Sequence, residues 1–344
     1  MKRLIAVMAM ATLLGACGKA SGPKTGASGD KSQLSGAGAT FPAPLYTAWA
    51  SGYETADGAR VNYQAIGSGG GIKQIKDATV DFGGTDKPLE AAELAASGLE
   101  QFPTVLGGVV PVVNAPGIGP GQVRLDGPLL ADVFLGKVKK WNDARIAALN
   151  PGVSLPNLPI TVVHRSDGSG TSFLFTTYLA GVSGEWKAQV GASDSVQWPT
   201  GLGGKGNDGV AAFVRQTSGS IGYVEYAYAK QNKLAHLLLK NRSGAFVAPD
   251  ADGFAAAAAG ADWAKAPGFY LLLLDQPGAK SWPITGATFI LTRQDAAPEK
   301  VAAVHKFFGW AYDQGDADAA RLDYVPLPAS VKALVRASWA APSQ

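Results

Sequence analysis

From Leu34 onward, short β-like runs alternate with helical patterns, and this alternation leaves few architectures open. The β-like runs are 61–64, 80–83, 105–114, 160–164 and 288–291; the helical patterns include 72–77, 89–97, 129–135, 172–180 and 210–215. Strands separated by helices need crossover connections, so the chain predicts α/β layers with mostly parallel strands. The last strong helix is expected near 298–314, where Val301, Val304, Phe308 and Ala311 form one stripe. His305 borders that stripe and His236 lies in a short apolar stretch; both read as packed or solvated side chains. The run 271–274 is buried strand or helix, and periodicity does not decide which. No fixed-period repeat is present.

The N-terminus addresses the compartment. Lys2 and Arg3 precede an apolar run over 4–16, and small residues lead into Cys17, the layout of a secretory signal. The run is shorter than the ~20 residues of a spanning helix, and no later stretch is long and apolar enough, so the remainder is expected to be soluble. Cys17 is the one cysteine among 344 residues, which excludes an intramolecular disulfide and a cysteine-rich metal site. Leu14-Gly15-Ala16-Cys17 resembles the lipobox of bacterial lipoproteins, which implies a lipidated Cys17 at the mature N-terminus; a free thiol beside an ordinary cleavage site is the plainer alternative. Residues 18–33 lack large apolar side chains and are expected to be a tether. The formal charge is +3, and loss of Lys2 and Arg3 with residues 1–16 leaves a nearly neutral chain, which argues against a nucleic-acid partner. With 47% apolar residues the chain can bury a large core, and its length suggests two domains.

Three segments share one design: small residues with hydroxyls running directly into a helical pattern. They are Gly36–Pro44 (GAGATFPAP), where Thr40 suits a cap and Pro42 a first helical turn; 67–71 (GSGGG); and 165–172 (RSDGSGTS). Each would aim free backbone N–H groups and the positive end of a helix dipole outward, and glycine lets an anion approach closely. One such turn means little, because capped helix starts are everywhere. Three together point to a convergent anion site.

GAGATFPAP, YQAIGSGGGIKQI, VDFGGTDKPL, RSDGSGTSF, GLGGKGNDGVAAFV and GSIGYVEYAYA resemble, in the same order, segments of the periplasmic phosphate-binding proteins of bacterial Pst ABC transporters. The resemblance runs from Leu34 to about Trp339. It implies a two-lobed periplasmic-binding-protein fold, type II-like, each lobe a central mixed sheet flanked by helices, with a two-strand hinge. Lobe I is expected over 34–108 and 285–344, and lobe II over 109–284. By the same resemblance Thr40 and Phe41 supply a hydroxyl and a backbone N–H, and Ser68 another hydroxyl. Asp86 accepts the proton of bound phosphate. Arg165 donates to phosphate oxygens with Asp167 as its partner, and Ser169, Gly170 and Thr171 add backbone and hydroxyl donors. No cofactor or metal is implied. The implied partners are inorganic phosphate, the transporter's permease subunits and, through the anchor, a membrane; the protein is expected to be a monomer.

These residue types suit that ligand. Phosphate near neutral pH keeps at least one proton and sulfate keeps none, so a ring of donors plus one ionised carboxylate pairs every phosphate atom but opposes sulfate. The plainer reading makes Asp86 a turn or cap residue, Arg165 and Asp167 a surface ion pair, and the hydroxyls simple caps. Other oxyanion ligands, namely sulfate, molybdate or arsenate, stay open, as does a phosphatase. The latter lacks support: there is no G-x-S-x-G and no ligand-spaced histidine cluster. Gly201–Gly206 fits G-x-G-x-x-G with Glu225 downstream, but Gln197-Trp198-Pro199-Thr200 makes a poor preceding strand, so a dinucleotide site is not expected.

Overall fold

A computed structural model describes residues 33–340. The signal, Cys17 and tether expectations lie outside the described residues. In chain order the elements that build the site are β1 (Leu34–Gly38), α1 (Ala43–Asp57), β2 (Val61–Ala65), α2 (Ser68–Lys76), β3 (Phe82–Thr85) and β4 (Leu99–Asn114). They continue as β5 (Thr161–Arg165), α3 (Gly170–Val182), β6 (Leu202–Gly204), α4 (Gly206–Gln216), β7 (Ser220–Glu225), β8 (Ile284–Arg293) and α5 (Pro298–Gln314).

One curled sheet carries them in the order β2-β1-β3-β8-β4-β7-β5-β6. Its two ends are parallel, β2-β1-β3 and β7-β5-β6, each with helices returning between strands. Its middle is antiparallel, which corrects the expectation of mostly parallel strands: β4 and β8 run in opposite directions side by side, and each is antiparallel to its outer neighbour.

The 16-residue β4 is buried along almost its whole length, as expected for a strand covered on both faces. Its partner changes midway. Leu99 to Gly108 pair with β8, and Val109 to Asn114 pair with β7. Pro103 cannot donate to the ladder, and the register shifts there, with Thr104 left outside the pairing. Thr104 takes up other bonds, exchanging one with Tyr46 Oη at 2.6 Å and donating to the Thr288 carbonyl at 3.2 Å.

Aromatic rings pack both ends of the sheet. Phe82 and Phe102 meet Phe308 of α5 at 5.4 and 5.7 Å, and Phe175 of α3 stacks on Tyr223 of β7 at 4.2 Å. Helix α5 has the span read from its stripe, with Val304, Phe308 and Ala311 buried. The run 271–274 resolves as a short strand, Leu273–Leu274, paired to the start of β8. His305 stacks on Trp339 at 4.6 Å, and burial pushes its ring down to about 4.

Candidate functional site

The three glycine-rich segments do meet. β1 ends at Gly38 with φ +149°, where a Cβ would lie 2.0 Å from the Gly84 carbonyl oxygen, and the Ala39 amide donates to that oxygen at 2.9 Å, so the chain leaving β1 is held close against β3. Ser68, the first residue of α2, accepts from the Asp86 amide through Oγ at 3.2 Å. Gly170, the first residue of α3, approaches from the other end of the sheet. A Cβ there would sit 2.5 Å from Ser68 Oγ and 2.7 Å from Asp86 Oδ2. Backbones also touch: the Gly69 amide donates to the Gly168 carbonyl at 3.0 Å.

Asp86 is buried, and Thr288 of β8 donates to its Oδ1 at 2.6 Å. Burial raises this carboxyl to about 7, against the opposing pull of the Thr288 hydrogen bond, the Arg165 charge and Ser68. Arg165 ends β5 with its side chain 1% exposed. Its backbone N–H donates to Tyr223 Oη at 3.1 Å, and Asp167 grips its fork, Nε to Oδ1 at 2.8 Å and Nη2 to Oδ2 at 2.5 Å. Burial would push Asp167 up, but the Arg165 hydrogen bonds and charge, with the Gly206 amide, hold it below the usual carboxylate range. That leaves Nη1 buried with no protein partner among the described residues. A bare guanidinium nitrogen in a closed site is a donor held ready for an anion.

The hydroxyls divide by role. Ser169 caps α3, accepting from the Ser172 amide at 3.0 Å, so the next two amides, of Gly170 and Thr171, sit in the first turn without intrahelical partners. Thr40 does not cap α1, whose N-cap is Pro42 without a side-chain bond. Thr40 Oγ1 instead accepts from Asn207 Nδ2 at 2.8 Å and from its backbone N–H at 3.2 Å, and the same Nδ2 reaches Thr171 Oγ1 at 3.2 Å. A shared amide thus joins two hydroxyls from opposite ends of the sheet. Ser68 likewise does not cap, since the N-cap of α2 is Gly67. Phe41 is fully buried with its ring against Gly107.

Sequence reasoning missed Asn207, Thr288 and Tyr223. Thr288 and Tyr223 are strand residues whose relevance comes from pairing alone, while Asn207 stood in the G-x-G-x-x-G neighbourhood, set aside as a decoy. That motif serves packing: Gly206 takes φ +71°, and a Cβ on Gly204 would meet the Gly209 and Val210 backbone within 2.8 Å. The steric fit at Gly170 makes a first prediction. Gly170→Ala should keep its fold but lose anion affinity by about tenfold to a hundredfold, because the methyl props the loops apart; titration calorimetry measures it, and unchanged affinity would show that the loops need not touch.

The profile of the PBP superfamily domain matches residues 23–314. A phosphate-binding protein PstS of Xylella fastidiosa is 55% identical over 311 residues, covering 90% of this chain and 85% of that protein. The chain belongs to the PstS family. Another PstS, from Pasteurella multocida, is 56% identical over 307 residues and covers 89% of each chain. Among solved structures, a high-affinity periplasmic phosphate-binding protein, PfluDING, with phosphate bound, aligns at a TM-score of 0.72 and 25% identity, over 89% of this chain and 94% of that one. PstS proteins are solute-binding proteins and not enzymes. The fold is the two-lobed binding-protein fold of the PstS family, and β4 passes from pairing with β8 to pairing with β7 along its length.

Proposed function

We propose that this protein binds inorganic phosphate between its two sheet halves and hands it to the permease subunits of an ABC transporter for import. Lobe I would be 34–108 and 285–344, and lobe II 109–284, with the change of partner along β4 at Gly108 and Val109 supporting that division. Relatives named as phosphate-binding proteins and a neighbour solved with phosphate support the ligand.

One observation carries the reading. A buried carboxyl, Asp86, faces donors that have no other work: Arg165 Nη1 and the first amides of α3, with the Ser68, Thr40 and Thr171 hydroxyls around them. Donors satisfy the acceptor oxygens of the ligand. Asp86, ionised on binding, takes the P–OH proton. In this arrangement Thr40, Phe41, Ser68, Arg165, Ser169, Gly170 and Thr171 donate, and Asp167 holds Arg165 in plane. Sulfate would place a lone pair against Asp86, and sites built around a required ligand proton reject the analogue lacking it by about 10⁴ to 10⁵. Calorimetry on residues 18–344 should give tight binding of phosphate and none of sulfate at matched concentrations. Equal affinity for sulfate would remove Asp86 from its role and return the ligand to another oxyanion.

PstS-type proteins work in the periplasm or cell envelope. A lipid on Cys17 would keep this one at a membrane, with 18–33 as the tether. Cys17→Ser should move the protein from the membrane pellet to the soluble fraction on ultracentrifugation of lysed cells; retention in the pellet would end the anchor proposal.

A further inference from the structure

Glu225 closes β7 and is wholly buried. Its backbone N–H donates to Asn207 Oδ1 at 2.9 Å, and its Oε2 accepts from the Ala227 amide at 2.8 Å. Tyr324 reaches it from the far end of the chain. The Tyr324 hydroxyl oxygen lies 2.6 Å from the Phe41 carbonyl oxygen and 3.0 Å from Glu225 Oε2.

Counting protons fixes the state of this chain of bonds. A carbonyl oxygen only accepts, and a phenol has one proton to give. At 2.6 Å two bare lone pairs would repel, so the phenolic proton lies toward Phe41. The 3.0 Å contact is then a hydrogen bond only if Glu225 Oε2 holds a proton and donates it to the phenol oxygen. The same oxygen still has a lone pair for the Ala227 amide. Its partner Oε1 is buried without a bond among the described residues, in line with the carbonyl oxygen of a neutral acid; half of a carboxylate left bare there would be far worse.

The surroundings agree. The titratable groups facing Glu225 are Tyr324, Tyr226, Tyr228 and Asp86, and the one charged group among them, Asp86, opposes a second negative charge. The Phe41 ring and Gly107 fill the remaining side. Burial pushes the Glu225 carboxyl well up, against the opposing pull of Tyr324 and of the Ala227 and Tyr226 amides. Tyr228 acts beside it, donating to the Thr40 carbonyl at 2.7 Å and so holding the very peptide that carries the Phe41 N–H.

We propose that Glu225 is a neutral, proton-donating positioning residue that works through Tyr324 to set the Phe41 backbone at the anion site. The proposal rests on the phosphate reading for its functional half only. Glu225 touches no ligand in this scheme; it and Asn207 organise Phe41 and Thr40 from the opposite half of the sheet.

Two measurements test it. The first is the infrared C=O stretch of a neutral carboxylic acid, recorded at pH 8 without phosphate on the full chain carrying Asp86→Asn, which removes the carboxyl that burial raises to about 7. A band is expected, and it should vanish when Glu225→Gln is added. No band, or a band that survives Glu225→Gln, overturns the neutral Glu225 whatever the ligand proves to be. The second is Tyr324→Phe, which deletes the relay and leaves both ends in place. Phosphate affinity should fall about tenfold, the size of one lost hydrogen bond. Affinity within twofold of wild type, with the infrared band present, would leave Glu225 protonated but strip it of the positioning role.

Discussion

Asp86→Asn should erase the preference for phosphate over sulfate, collapsing a ratio of about 10⁴ to within about tenfold. The direction follows from Thr288. Its hydroxyl donates to Asp86 Oδ1 at 2.6 Å, so the amide oxygen of an asparagine takes that position and the NH₂ replaces Oδ2. Oδ2 is the oxygen beside Gly170, where the two loops meet. The variant then presents a donor where the wild type presents an acceptor. Phosphate loses the partner of its proton, whereas sulfate gains a hydrogen bond. Competition titration with both anions reads the outcome, and an unchanged ratio would place discrimination elsewhere.

The same substitution should stabilise the ligand-free protein at alkaline pH. Asp86 ionises at 3.8 in an unfolded chain and at about 7 when folded. Between those values the native state binds more protons than the unfolded state, so stability falls as pH rises through the window. A carboxyl moved from 3.8 to about 7 contributes a loss of about 4 kcal/mol, complete above the upper value. Asparagine has no charge to bury, so the variant should melt several degrees above wild type at pH 8, and this advantage should shrink as the pH falls toward 4. Thermal melts in phosphate-free buffer at the two pH values check the sign. The charge that costs stability when the site is empty is the one that pairs with the ligand proton.

Much of this design is legible in the sequence, and the gaps have physical causes. Ser169 reads as a cap because its bond is local, three residues away. Asp86 and Arg165 stand out only beside a family pattern, since a carboxylate before Lys87-Pro88 looks like any turn. Helix starts read late: α2 begins at Ser68 and not 72, α3 at Gly170 and not 172, α4 at Gly206 and not 210. In each case glycine-rich first turns lack helix propensity and pass for loop. These low-propensity turns are the ones whose free amides and close backbones form the site. β7 was not among the strand readings either, because it is buried at all six positions and shows no alternation. The C-terminal helix Ala329–Ala340 escaped because only Val331 and Val335 face the core. Asn207 and Thr288 act over 167 and 202 residues of separation, and no local pattern encodes that.

Arg165→Ala should weaken phosphate binding by about three orders of magnitude, and sulfate binding by a similar factor. Truncating one member of a buried, hydrogen-bonded charge pair costs about 2 to 5 kcal/mol in binding, part of it the penalty on the partner left behind. Here the partner is Asp167, which would keep the Gly206 amide at 3.1 Å but lose the guanidinium that offsets its negative charge beside the anion. Arg165→Lys separates charge from geometry. A lysine keeps one positive charge but offers no fork for Asp167 and no second nitrogen turned toward the ligand, so it should recover only part of the loss. Removing Asp167 as well tests the cause. If repulsion from the stranded carboxylate matters, Arg165→Ala with Asp167→Asn should bind phosphate better than Arg165→Ala alone, and the gap should narrow at high salt. Equal affinities for the single and double variants would show that the lost Nη1 donor accounts for the whole effect.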